Sequence, residues 1–405
     1  MTHEPRTLAQ DPAPDSRPRS RRRALLLLLA LLLLIVTATL LWIFDGPSSD
    51  NGADKPGEGT SPRAELARAA ALLRDAPALH YTGTMGITGA QGGEDPRVDL
   101  IVSNPADALG TLGLPGRPAL DYVGIDGKSF LHGKAEAWQS VGMAEKSKVL
   151  AENPSMVQPG MFFSQDLGTF LAPPALAKTV RAEDVPDEKI TVGRPVTVDD
   201  HTCTPIRADD MTICLSDEKK ENGARSVDRI SFSGGTVVLD IATMSRPEVE
   251  KFSTDFRSKL TLIRISVDPR VKVTTQILRD YEGTCAPTAC VFTARVTVTY
   301  LGSTSEPDAS KAVAVTYSWA IDRDGARVEL DPDCAGALLI KPGESEDLSC
   351  TATGPSVGSG ANSGQYHGAI HTADRALTPK EYERLTAKAA DNSEKVAALS
   401  RSLDT

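Results

Sequence analysis

The chain has 405 residues, with 44 Lys and Arg against 54 Asp and Glu, a formal net charge of −10. Apolar residues make up 40% and charged residues 24%, which excludes a wholly disordered chain and a polytopic membrane protein and leaves enough apolar material for two cores. Aromatics are sparse, 9 Phe, 7 Tyr and 3 Trp, so those cores are expected to be largely aliphatic, and the acidic balance argues against nucleic acid as the main partner.

Residues 1–23 carry six Arg and three acids, net +3, and read as a disordered cytoplasmic tail. Residues 24–44 are an uncharged apolar run, Ala24 to Phe44, that ends with Trp42 and Phe44. As a helix it spans roughly 32 Å, enough to cross a hydrocarbon core of about 30 Å. Arg17, Arg19, Arg21, Arg22 and Arg23 stand before it, and Asp45, Asp50 and Asp54 after it. The positive flank stays in the cytoplasm, so this reads as a single-pass anchor in the cell membrane with the bulk of the chain extracytoplasmic. The rival reading is a cleaved signal peptide, for which the small residues Thr37-Ala38-Thr39 are a loose fit. No Cys follows the run, so a lipid-modified N-terminus is not expected.

Residues 45–60 are rich in Gly, Pro, Ser and Asp and read as a flexible linker. Ser61-Pro62 then supplies an N-cap and a first-turn proline for a helix with Leu66, Ala69, Ala70, Leu73 and Ala76 on one face. Short strands follow at 80–87, 97–102, 121–125, 128–132 and 139–141, with Asp126-Gly127 as a hairpin turn. Residues 144–178 hold helical pieces, and strands resume at 194–199, 202–207, 211–215, 228–232 and 236–241. A second β unit is expected from about Leu260, with Val291 to Tyr300 as its clearest alternation of apolar and polar residues. Over residues 258–354 this fits an immunoglobulin-like β-sandwich. Residues 355–377 read as a Gly/Ser-rich linker. The last segment, 378–405, is a helix opened by a Thr378-to-Glu381 capping box. Its seam runs through Tyr382, Leu385, Ala389, Asn392, Val396, Leu399 and Leu403, suited to docking on its own domain or to self-association, with a free helix as the third reading.

All six cysteines, Cys203, Cys214, Cys285, Cys290, Cys334 and Cys350, lie beyond the apolar run, which reads as three disulfides. Neighbour pairing fits the spacing: 203 with 214 across a hairpin, 285 with 290 as a small staple, and 334 with 350 about the Pro342-Gly343 turn. Zinc or redox chemistry is the other reading, but there is no C-x-x-C and no evident fourth ligand beside His201.

Residues 61–250, within a first domain expected over 61–257, show a helix, a strand beginning His80-Tyr81-Thr82-Gly83, a hairpin reading Tyr122-Val-Gly-Ile-Asp-Gly-Lys128, Ala137-Trp138, and then a helical insertion. In that order of signals the segment resembles the LppX/LprG-like branch of the LolA-type envelope lipoproteins. The resemblance implies a curved antiparallel sheet over helices with a hollow that holds lipid or acyl chains. The fold class expected is therefore α+β, a LolA-like sheet over helices followed by an all-β sandwich. Tyr81, Met85, Phe130, Trp138, Phe162 and Phe163 are the residues placed to line the hollow, and ordinary core is the alternative for each. A membrane helix in place of the family's lipid-modified Cys points to a tethered protein and not a shuttle.

Motifs for catalysis are weak. Gly354-Pro-Ser356-Val-Gly358 lacks the helix that a nucleophile elbow requires after it. His367 and His371, with Tyr366 and Asp374 nearby, have metal-ligand spacing on a helix but no Glu beside the first His. Asp322, Asp324, Asp331 and Asp333 match no known calcium loop, and Asp199-Asp200 and Asp209-Asp210 read as turns. The expectation is a non-enzymatic, membrane-tethered envelope protein, without metal or cofactor, that binds a lipid or other hydrophobic ligand. The alternative is a cell-surface interaction or regulatory protein that meets a protein partner through the sandwich and terminal helix.

Overall fold

The computed structural model describes residues 61–402, apart from 87–94, 158–161, 164–165, 199–200, 221–222, 233–234, 279–284, 287–288, 301–311, 324–325, 329, 331–333 and 354–365. The chain enters through α1 (Pro62–Asp75), with Ser61 accepting from the Ala64 amide at 3.3 Å and proline in the first turn. A twelve-stranded antiparallel sheet follows. Its first half meanders outward through β1 (Ala78–Met85), β2 (Arg97–Ser103), β3 (Ala108–Gly113), β4 (Leu120–Ile125), β5 (Lys128–His132) and β6 (Ser155–Val157). The expected hairpin stands between β4 and β5, where Asp126 (φ 51°) and Gly127 (φ 72°) take the left-handed conformation that a two-residue turn needs.

Four short helices then cross the sheet: α2 (Ala135–Ser140), α3 (Ser147–Glu152), α4 (Leu167–Leu171) and α5 (Pro173–Val180). The second half meanders back through β7 (Ile190–Val192), β8 (Val196–Val198), β9 (His201–Ala208), β10 (Met211–Lys219), β11 (Arg225–Phe232) and β12 (Val237–Thr243). β12 pairs with β1, so the first and last strands lie side by side at the middle. At Gly83 (φ 151°) a Cβ would fall 2.1 Å from the Val238 carbonyl oxygen, so the tight pairing there admits only glycine.

Both faces of this sheet are covered, but differently. The inner face meets α1, α4 and α5 in one core that includes Leu66, Leu79, Leu100, Leu176, Ile213 and Leu239. The outer face is covered over its first half by α6 (Arg246–Leu262) and α7 (Pro379–Arg401). Val249, Phe252, Phe256 and Leu260 of α6 and Leu385, Ala389 and Val396 of α7 pack with Ala78, Val123, Ile125 and Phe130. Burial of each Val, Leu, Ile or Phe among these contributes about 1.5–3 kcal/mol, whereas the exposed ion pairs Lys259–Asp121 and Arg384–Asp126 at the rim contribute about 0–1 each. The terminal helix therefore docks on the first sheet. The Thr378–Glu381 capping box forms as expected, with Glu381 N to Thr378 Oγ1 at 3.1 Å.

The second part is a sandwich of two antiparallel sheets. One holds β13 (Val271–Ile277), β14 (Cys285–Ala286), β15 (Ala289–Tyr300) and β19 (Ser345–Thr353). The other holds β16 (Val313–Arg323), β17 (Ala326–Arg327), β18 (Ala335–Ile340) and β20 (Tyr366–Arg375). Their facing sides share Phe292 and Trp319, 6.3 Å between ring centroids, and Val296, Val298, Val315 and Ile340. Cys334–Cys350 ties the start of β18 in one sheet to β19 in the other.

Several expectations shift. The boundary placed at 257/258 falls inside α6, because Phe256 and Leu260 lie on one buried stripe of a single helix. The linker expected over 355–377 holds a strand at 366–375, since β20 pairs along the whole edge of β16. Trp138 sits in α2, where a strand was expected at 139–141. Cys203 and Cys214 are bonded, but diagonally: Cys214 stands opposite Pro205 and Cys203 opposite Ser216, because the turn is centred at Asp209-Asp210. Cys290 is also disulfide-bonded, and Cys285 stands opposite it in register. Replacing both Cys334 and Cys350 by Ala is expected to lower the unfolding free energy by about 3 kcal/mol in urea titration, as loop closure over 16 residues predicts.

Candidate binding site

The inner layer is built by strand parity. In β1, Leu79, Tyr81 and Met85 point inward, while Ala78 packs on the opposite face with α6. Tyr81 is fully buried, and its hydroxyl donates to the Leu171 carbonyl at 2.5 Å, at the end of α4 where helical carbonyls lack partners of their own. Burial pushes its phenol far above the usual range. Trp138 faces Phe162 with 6.4 Å between ring centroids, and Phe163 packs half-buried against the same cluster. Five of the six residues expected to line a hollow thus lie together. Phe130 does not. It shares its face with Val123 and Ile125, beneath α6 and α7, because Ser129 and Leu131 take the inward positions of β5.

The inner layer also holds a polar knot. Ser129 Oγ lies 2.6 Å from Asp166 Oδ2, and Tyr122 Oη lies 3.2 Å from the same oxygen and 2.8 Å from Ser129 Oγ. Asp166 Oδ1 accepts from the Thr169 amide at 2.8 Å, capping α4. Burial, and then the Asp166 charge, push the Tyr122 phenol upward. No histidine adjoins this knot among the described residues that contact it, and it anchors α4 to the sheet. Side chains fill the layer, from Leu66 and Leu100 to Leu215 and Ile230, all within 1% of full burial.

A cavity of about 850 Å³ opens instead on the outer face, over the half of the sheet that α6 and α7 leave bare. Its lining mixes polar and apolar surface and carries both charge signs: His80, His201, Asp228, Arg229 and Asp240, with Val227 and Ile241 among them. His80 Nε2 lies 2.7 Å from Asp99 Oδ1, and Ser226 donates to Asp228 at 3.0 Å. Burial raises the Asp228 carboxyl above the usual range, and the Ser226 hydroxyl opposes the shift. Sequence reasoning missed these residues. The signal was the parity of β1, where His80 and Thr82 alternate with Leu79 and Tyr81.

The remaining motifs do not converge. His367 and His371 lie on strand β20, opposite Asp322 and Ser318 in register, and four strand residues separate their backbones by about 13 Å, too far for one metal ion. Among the described residues no group of His, Cys, Asp or Glu could hold a metal ion. Ser356, Asp199, Asp200, Asp324, Asp331 and Asp333 lie outside the described residues, as does the apolar run 24–44. Among the described residues no helix is long and apolar enough to cross a membrane.

No known family's profile matches the chain, and no curated protein matches it. Among solved structures the chain is similar to LprF from Mycobacterium bovis, at 14% identity over 46% of this chain and 91% of that one, with a TM-score of 0.30. A score so low transfers neither fold nor function. The architecture rests on the strand order and helix packing above. Tyr81→Phe is expected to lower stability by about 1–3 kcal/mol, because it leaves the Leu171 carbonyl without its buried donor, and thermal unfolding of the two proteins side by side checks it.

Proposed function

We propose that the chain is a non-catalytic binding protein of the cell envelope, tethered by residues 24–44, that takes up a hydrophobic chain between the inner face of its first sheet and the helices over it. The reading rests on one observation above others. The inner cover consists of α1, of 14 residues, and four separate helices of 6, 6, 5 and 8 residues, laid over a continuous apolar layer. Helices this short do not hold themselves together in water. Each stays folded through what it buries, so an apolar guest that replaces those contacts can lift one at modest cost.

Burial of a C16 chain supplies about 0.8 kcal/mol per CH₂, on the order of 12 kcal/mol in all, against the cost of parting Trp138 and Phe162 from the sheet. The layer is closed by its own side chains, so entry requires part of its helical cover to move. The resemblance of residues 61–250 to the LppX/LprG-like proteins supports the same reading. The tether makes presentation or sensing of the ligand, and not transport away from the membrane, the expected role.

A second reading has its own observation. The 850 Å³ cavity on the outer face carries both charge signs, which suits a polar or protein partner better than an acyl chain. Native mass spectrometry separates the two. The unit from Thr60 onward, purified without detergent from a membrane-containing host, is expected to carry an added mass in the lipid range that organic extraction removes. A bare mass that persists after incubation with phospholipid vesicles overturns the lipid reading in favour of the interaction protein.

A further inference from the structure

Asp107 stands in the turn between β2 and β3 and is 3% exposed. Facing it is Asn392, 1% exposed, the polar centre of the stripe by which α7 docks on the sheet. Asn392 Nδ2 donates to Asp107 Oδ1 at 2.9 Å across a separation of 285 residues. The amide oxygen, Asn392 Oδ1, is buried with no partner. A carboxylate has no proton to offer it, but a carboxylic acid does.

We propose that Asp107 is protonated when α7 is docked, that its proton is given to Asn392 Oδ1, and that α7 is thereby held to the sheet by a proton-dependent clasp. Both buried groups are then satisfied: the amide N–H on the carboxyl oxygen, and the acid O–H on the amide oxygen. Loss of the proton leaves an orphan acceptor beside a buried charge, and either alone weakens docking.

The surroundings agree. Burial raises the Asp107 carboxyl to about 7, and Asp126 in the β4–β5 turn adds to the rise. The Asn392 amide and the Lys388 ammonium, both on α7, oppose it. Asp126 is itself paired with Arg384 of α7, and Lys128 of β5 faces Glu381 at 4.0 Å. The sign of the linkage follows. A carboxyl whose docked value exceeds its free value holds its proton only in the docked state across the interval between them. Docking therefore weakens as pH rises from about 4 to 7, close to tenfold per unit, and levels off above 7.

The test is hydrogen exchange of the α7 amides in the full chain at pH 4.5–8.5, corrected for intrinsic exchange. Wild-type protection is expected to fall close to tenfold per unit up to about pH 7 and then flatten. Asp107→Asn carries a permanent donor and acceptor, so its protection should be independent of pH and exceed that of the wild type at pH 8. Asp374 also has a carboxyl raised by burial, near the start of α7. Asp374→Asn should leave the α7 slope in place. A wild-type slope of zero overturns the clasp without any variant, as does an Asp107→Asn protein that keeps the slope, or a slope abolished by Asp374→Asn.

Discussion

The pairing of β1 with β12 is the constraint on which the first sheet depends. Each half is a meander that could form from local hairpins, but only this pairing joins them, over seven residue pairs from Leu79–Thr243 to Met85–Val237. It forms between residues about 160 positions apart, so its loop-closure cost is met only when the inner layer condenses at the same time. Gly83 lets the two backbones close at the centre of the seam, and Tyr81, two residues away, carries the inward contact to α4. The inner core, the covered outer half and the bare outer half all take their positions from that join.

Local chemistry was legible in the sequence where one short signal decided the outcome. The Asp126-Gly127 hairpin, the Ser61 cap, the Thr378–Glu381 box and the 203–214 and 334–350 disulfides all stand where residue type and spacing place them. What could not be read was the assignment of faces. In β4 and β5 both faces are buried, by the inner core on one side and by α6 and α7 on the other, so the apolar run shows no alternation. Phe130 was for that reason as well placed on one face as on the other. Helix α6 was not read at all, because the charges along it mask a stripe that only the outer face of the sheet explains.

The two covers of the sheet differ in a way that bears on binding. The outer cover is made of helices of 17 and 23 residues, each capped and each stapled to the other at Arg257–Ser393. The inner cover is α1 together with four short helices. Helices of the first kind move as rigid rods, whereas those of the second can part singly. An apolar guest and a polar one would thus meet different mechanical problems: the first must open a closed layer, while the second finds the outer cavity already formed.

The sandwich is not free to act as a separate module. The segment 266–268 bonds to the β6 edge through Met156 N to the Val267 carbonyl at 2.9 Å, and to the chain leaving β20 through Ala376 N to the Ser266 carbonyl at 2.8 Å. Asp268 N donates to Asp374 at 3.1 Å in the same seam, and Asp268 also holds Arg270. The sandwich is therefore gripped where the chain enters it and where the chain leaves it, and α7 carries the exit back across the outer face of the first sheet. The buried Asp107–Asn392 contact thus fixes, on the first sheet, the helix into which the chain passes when it leaves the sandwich.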